Sequence, residues 1–386
     1  MDFDKIVDRR GTNALKWDIK DGELPMWVAD MDFETAPEIK DAITERARHG
    51  AFGYNIVPDE WYDAYISWWR SRHGFEMEKD WLIFSTGVVP TLSSVVRKLT
   101  TPAENVMLLT PCYNIFFNSI VNNGRNPLEC PLVYEDNAYH IDFELFEEMA
   151  SRPQTTMLIL CNPHNPVGKI WDRETLARIG SICARHHVIV VSDEIHCDLT
   201  ATGRGYIPFA SVSDECRDNS VTCIAPTKAF NLAGLQTSAV VVPDRFLYNK
   251  VNRGLNTDEV AEPNSFAVQA AVAAFTRGAQ WLDALREYID KNRRTTAEFI
   301  EKEILHITYV PSEATYLLWL YCGDVAEDSR ELAEFIRRDT GLYLSDGAQY
   351  GRGGEKFLRL NIACPASVLE DGLNRLKQGI EDYRVK

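Results

Sequence analysis

Val188-Ile189-Val190-Val191-Ser192-Asp193-Glu194-Ile195-His196 is an unbroken apolar run that ends abruptly in polar residues. Alternating apolar and polar positions would mark a strand with one wet face. A continuous apolar run marks a strand covered on both faces, as in parallel sheets. Val106 to Leu109, Met157 to Leu160, Val221 to Ile224 and Ser238 to Val242 are further short apolar runs bounded by turn residues. Helical patterns lie between them. Arg173 to His186 sets Leu176, Ile179, Ile182 and Cys183 on one face, with Asp172 placed as N-cap. This alternation predicts an α/β fold built on a mainly parallel sheet.

A chain of 386 residues is long for one core, so two domains are expected. After Gln280 the character changes. A long amphipathic pattern from Trp281 to Glu303 contains no Gly or Pro and predicts a helix that bridges two domains. Strand-like Tyr316 to Leu320, a charged helix near Glu327 to Arg338, strand-like Phe357 to Ile362 and a terminal helix follow. The division is therefore a large domain over 46–280 and a smaller α+β domain formed by 1–45 with 281–386.

Composition narrows the function classes. A net charge of −16 argues against nucleic acid and anionic membrane surfaces as partners. No apolar run approaches the roughly 18 residues of a membrane span, and Met1-Asp2-Phe3-Asp4-Lys5 has no basic stretch leading into an apolar one. Nine scattered cysteines, an odd number without a C-x-x-C pair, suit reduced thiols. The expected compartment is the cytoplasm.

Chemistry gathers at the strand ends. Ligands of open α/β sheets bind beyond the carboxyl ends of the strands. Lys228, in Ala225-Pro226-Thr227-Lys228-Ala229-Phe230-Asn231, follows the run Val221 to Ile224, and Asp193 ends the run quoted first. A lone lysine in a polar loop is usually a surface residue. Paired with an aspartate in one crevice, it can form a Schiff base with an aldehyde cofactor while the carboxylate keeps a pyridinium nitrogen protonated. Trp81 to Pro90 reads as strand, tight turn at Gly87, then a helix from Val89 through Leu99, whose first N–H groups can meet a phosphate. A plain strand–helix turn would look the same. Asn165 sits in Cys161-Asn162-Pro163-His164-Asn165-Pro166, where two Asn-Pro steps stiffen the loop one strand–helix–strand unit before Asp193. Arg359 interrupts the apolar Phe357 to Ile362 and needs an anionic partner, either an internal carboxylate or a ligand's.

Other chemistries are set aside. His186, His187, His196 and Cys197 have no standard zinc spacing, so no metal is expected. Gly351-Arg352-Gly353-Gly354 precedes its strand instead of following it, which excludes a nicotinamide-dinucleotide loop. No G-x-S-x-G elbow of a serine hydrolase is present.

Taken together, these residues resemble a fold-type I pyridoxal-phosphate enzyme of the class I/II aminotransferase superfamily, over essentially the whole chain. More narrowly, the chain resembles the MalY/PatB cystathionine β-lyase (C–S lyase) family. The marks are Gly11-Thr12-Asn13 with Lys16-Trp17-Asp18, Pro25 to Phe33, Ser85 to Pro90, Ser192 to His196 and Lys228 to Leu235. The resemblance implies a seven-stranded sheet of the pyridoxal-phosphate transferase fold. It implies Lys228 as the lysine that bonds the cofactor aldehyde, Asp193 as partner of the pyridine nitrogen and Asn165 at the phenolic oxygen. Tyr113 would stack on the ring and could assist proton transfer; Gly87, Val88 and Val89 would hold the phosphate, with Thr227 sharing that contact. Arg359 would clamp the substrate carboxylate, with Asn165, Ala29 and Tyr54 also at the substrate. Tyr54 would reach into the site of a second subunit, which implies a homodimer with shared active sites.

Two positions depart from typical aminotransferases. His196 stands where many have a tyrosine near the phenolic oxygen, and Gln236 where many have a phosphate-binding arginine. Both suit the lyase branch. The implied reaction is α,β-elimination from cystathionine or another L-cysteine S-conjugate to a thiol, pyruvate and ammonia. An aminotransferase is the nearest alternative, and a pyridoxal-phosphate-binding regulator acting through a protein partner is the second.

Overall fold

The computed structural model describes residues 1–386. Seven strands form the large sheet: β1 (Leu82–Ser85), β2 (Asn105–Thr110), β3 (Asn126–Pro131), β4 (Thr155–Cys161), β5 (Ile189–Asp193), β6 (Ser220–Ile224) and β7 (Ser238–Val241). Their order is β1-β7-β6-β5-β4-β2-β3. Only β7 runs against its neighbours, pairing antiparallel with both β1 and β6. The expected mainly parallel, seven-stranded sheet is thus present.

Its central strands β2, β4 and β5 are apolar over most of their length because both faces are covered. Met107, Leu109, Leu158, Leu160 and Val190 belong to one core cluster. Their sequence neighbours Val106, Leu108, Met157, Ile159 and Val191 belong to another on the opposite face. Successive side chains point to opposite sides of a strand, so burying both sets favours apolar residues at consecutive positions. Helix Arg173–Arg185 lies where its periodicity places it, and the Asp172 carboxylate caps it by accepting from Thr175 N at 2.7 Å.

A second sheet of four strands, β8 (Thr308–Tyr309), β9 (Leu317–Tyr321), β10 (Ser345–Asp346) and β11 (Phe357–Asn361), has the order β8-β9-β11-β10. Helix Ala279–Glu303 ties the two sheets together. Near its start Trp281 stacks on Phe230, two residues beyond Lys228, with ring centroids 5.9 Å apart. Further on, Asn292 Nδ2 donates to the carbonyls of Ile362 and Cys364, both at 2.9 Å, just past β11. No helix is long and apolar enough to cross a membrane. All nine cysteines are free and buried.

Candidate active site

The carboxyl ends of β1, β2, β4, β5 and β6 open on one cleft. Thr86, Gly87, Val88, Val89, Tyr113, Asn165, Asp193, His196, Thr227 and Lys228 line it. Every strand end singled out in the sequence therefore contributes, as the strand-end rule requires. Ala29 joins them from the N-terminal segment, and Gln236 lines the cleft too.

Asp193 and Lys228 are held in low dielectric. Asp193 is 4% exposed and accepts from Ile195 N at 3.1 Å. Burial raises its carboxyl to about 7, against the lowering effects of that N–H and of Lys228. Lys228 Nζ donates to Ala29 O at 2.6 Å. Its amine is brought down to about 8, chiefly by burial, with Asp30 working in the opposite direction. Desolvation disfavours the charged form of each, so a proton can move between them and a ligand at small cost.

The turn carrying Asp193 is fixed from below. Glu194 is fully buried and accepts from Ser192 Oγ at 2.8 Å, Tyr206 OH at 2.6 Å and Phe209 N at 2.9 Å. His196 follows with 3% exposure and an Nδ1 that has no partner. Burial, together with the positive charges of Lys228 and Arg359, lowers its imidazole to about 3, so the ring is neutral. Tyr113 packs edge-on against Phe116, centroids 5.5 Å apart, and burial pushes its phenol up to about 12.

Asn165 is buried in the loop after β4, where Oδ1 accepts from Arg359 Nη1 at 3.3 Å. Both its Asn-Pro bonds are cis. The loop closes at Gly168, whose φ of +69° favours glycine. A Cβ there would overlap the Ser312 side chain and come within 2.9 Å of Ala314 O. Arg359, on β11, is 5% exposed, and Nη2 donates to Trp27 O at 2.9 Å. Its acceptors are thus an amide and a carbonyl, both neutral, and Nε has none. A buried guanidinium met only by neutral oxygens has donors that suit a carboxylate.

One wall was not legible from periodicity. All six carbonyls from Met26 to Met31 accept hydrogen bonds from residues around the cleft. Asn361 N donates to Met26 O at 2.9 Å. Arg359 donates to Trp27 O, and Asn361 Nδ2 donates to Val28 O and Asp30 O. Lys228 and Tyr316 OH both donate to Ala29 O, and Asn231 Nδ2 donates to Met31 O at 3.0 Å. Cys161, Ile195, Ala233 and Thr237 also line the cleft without having been singled out as site residues. Tyr54 alone among the expected residues lies elsewhere, fully exposed on the surface of its own chain.

These residues fit pyridoxal phosphate. The backbone N–H groups of Gly87, Val88 and Val89 have no partner within the protein. They sit at the start of helix Val88–Leu99, which has no side-chain cap, so an anion is the missing acceptor. The buried Thr237 Oγ1 beside them is likewise unpaired. A lysine, a buried carboxyl, an amide and a neutral imidazole line the same cleft.

Comparison with known proteins agrees with this geometry. The family described as "Aminotransferase class I and II" matches residues 24–376. Cystathionine β-lyase PatB of Bacillus subtilis (strain 168) is 43% identical over 98% of this chain and 100% of its own. Protein MalY of Escherichia coli (strain K12) is 30% identical over the full length of both. The crystal structure of the pyridoxal-phosphate-bound C–S lyase from Staphylococcus hominis superposes with a TM-score of 0.92 at 33% identity, covering 98% of each chain.

Proposed function

Because the chain belongs to the class I and II aminotransferase family, on its PatB/MalY cystathionine β-lyase branch, we propose that it is a pyridoxal-phosphate-dependent carbon–sulfur β-lyase. Its reaction is α,β-elimination from cystathionine or another L-cysteine S-conjugate, giving a thiol, pyruvate and ammonia. The observation that carries the reading is the desolvated Lys228 amine in one cleft with the buried Asp193 carboxyl.

Bound pyridoxal phosphate supplies an electron sink for the pair left on Cα when its proton departs. Lys228 is the residue that would carry the cofactor and then take that proton. An amine brought down to about 8 is a competent base near neutral pH. Asp193 would hold a proton on the pyridine nitrogen, and Asn165 and His196 would orient the phenolic oxygen. Tyr113 would stack on the ring and, neutral below about 12, can pass a proton without holding charge. Gly87, Val88, Val89 and Thr227 would grip the phosphate. Arg359 would bind the substrate carboxylate, with Asn165 and Ala29 beside it.

The two sheets support a division into a large domain, 46–280, and a small one formed by 1–45 and 281–386. The exposed apolar run Phe52, Tyr54 and Ile56 supports a homodimer in which Tyr54 enters the partner's cleft. Nine free thiols support a cytoplasmic location.

Purified protein should release pyruvate from cystathionine with no keto acid added, and Lys228→Ala should lose both this activity and the visible absorbance of the lysine-bound cofactor. Interconversion of amino and keto acids without pyruvate release would instead identify an aminotransferase.

A further inference from the structure

Besides its hydrogen-bond acceptors, Arg359 has an aromatic face against its guanidinium. Its guanidinium carbon lies 4.8 Å from the centre of the Tyr350 ring. Tyr350 is 1% exposed and anchored on both sides. Its ring meets Trp319 edge-on with centroids 5.6 Å apart, and Trp319 is the residue opposite Arg359 in the β9–β11 register. Its carbonyl accepts from Cys112 N at 2.9 Å, one residue before Tyr113. Tyr350 thus spans from the arginine strand to the turn that carries Tyr113.

We propose that Tyr350 is a positioning residue for the substrate carboxylate and sets the orientation of Arg359 through its ring face. The inference rests on reading Arg359 as the carboxylate clamp. The physical reason is the donor inventory. A guanidinium has five N–H groups in one plane, and a carboxylate binds along an edge of that plane. An acidic side chain at position 350 would hold Arg359 equally well but would occupy that edge and cancel the charge the substrate needs. An aromatic face attracts the cation from above the plane and uses none of the five donors. Asn165 and Trp27 O then fix two corners of the group, and Nε is left without a partner.

The test uses cofactor-loaded protein, S-ethyl-L-cysteine as substrate and S-ethylcysteamine, the same molecule without its carboxylate, as competitor. Tyr350→Leu should raise KM for S-ethyl-L-cysteine about ten-fold, the worth of a desolvated cation–π contact. Its kcat should change little, and inhibition by S-ethylcysteamine should be unaltered. Tyr350→Phe, which keeps the ring, should return KM to near the wild-type value. Pentafluorophenylalanine at position 350 keeps the shape while reversing the polarity of the ring face, so it should raise KM as Tyr350→Leu does. It therefore decides the matter even if the leucine variant fails to fold. Equal KM values for the phenylalanine and pentafluorophenylalanine proteins would overturn the proposal, as would equal weakening of S-ethylcysteamine. If the wild-type protein releases no pyruvate, the lyase reading fails. The same comparison then stands on amino-acid binding followed by cofactor absorbance, which needs no C–S cleavage.

Discussion

Asp193 and Lys228 are tuned for a ligand at the expense of the empty protein. Without cofactor, the Asp193 carboxyl sits at about 7 in the folded state, raised from 3.8 by burial. A raised carboxyl keeps its proton in the fold after the unfolded chain has released it. Its stabilising contribution is full below about 4 and is lost as pH climbs through 7. Lys228 has the opposite sign. Depressed from 10.5 to about 8, it contributes fully only above its unfolded value and loses that contribution as pH falls through 8. Both groups therefore weaken the cofactor-free fold near neutrality. Asp193→Asn removes one of them. Cofactor-free Asp193→Asn should be more stable than the cofactor-free wild type at pH 8 by about 2–4 kcal/mol, and the gap in melting temperature should narrow at pH 5. The loaded variant should lose about 10²–10³ in kcat, the usual size of a preorganised electrostatic contribution. An equal melting temperature for the two cofactor-free proteins at pH 8 would contradict this account of the site.

Among the elements, the strands and the N-terminal wall were legible to different degrees. Val188 to Val191 and its companions stand out because a strand buried on both faces favours consecutive apolar residues. The polar residues after the parallel runs lie at the cleft, which is why Asp193, Asn165 and Lys228 are legible from spacing. That β7 runs antiparallel leaves no such trace, since Ser238 to Val241 is apolar whichever way it points. The wall Met26 to Met31 acts through backbone carbonyls, so its residue types carry little signal and only a resemblance drew attention to Pro25 to Phe33. Its partners Arg359 and Asn361 lie more than 330 positions away, beyond the reach of any local pattern. Asn231 is its clasp: Oδ1 accepts from Met31 N at 3.2 Å, and Nδ2 donates to Met31 O and to Phe33 O. Its own φ is +56°, a conformation asparagine tolerates better than most residues. Asn231→Gly keeps that backbone and deletes only the clasp. It should cost about 1–3 kcal/mol, the price of stranding buried backbone groups. Hydrogen exchange should quicken at Met31 while β5 amides stay protected; unchanged exchange at Met31 would show that the wall is held by its other contacts alone.

The whole molecule is organised so that neither sheet completes the cleft alone. The largest core cluster runs from Leu82 and Phe84 on the first sheet to Leu318 and Leu360 on the second. Arg359 is thereby held against Asn165 across the boundary. One surface stays unresolved within a single chain. Phe52, Tyr54 and Ile56 expose 56%, 101% and 80% of their area on an extended segment, although Phe52 rests on Phe266. Alternate apolar residues exposed on an arm are the mark of a strand-like segment awaiting another surface. If that surface is the cleft mouth of a second copy, each active site is a composite of Lys228 from one subunit and Tyr54 from the other. Two-fold symmetry then makes a sharp prediction. Lys228→Ala and Tyr54→Ala homodimers should each be nearly inactive. Mixing equal amounts under conditions that exchange subunits makes half the dimers hybrid. In each hybrid, one site carries both substitutions and the other carries neither. Activity should therefore return to about a quarter of the wild-type value per subunit. Mixtures that show only the sum of the two inactive proteins, despite proven exchange, would mean that Tyr54 serves the cleft of no partner.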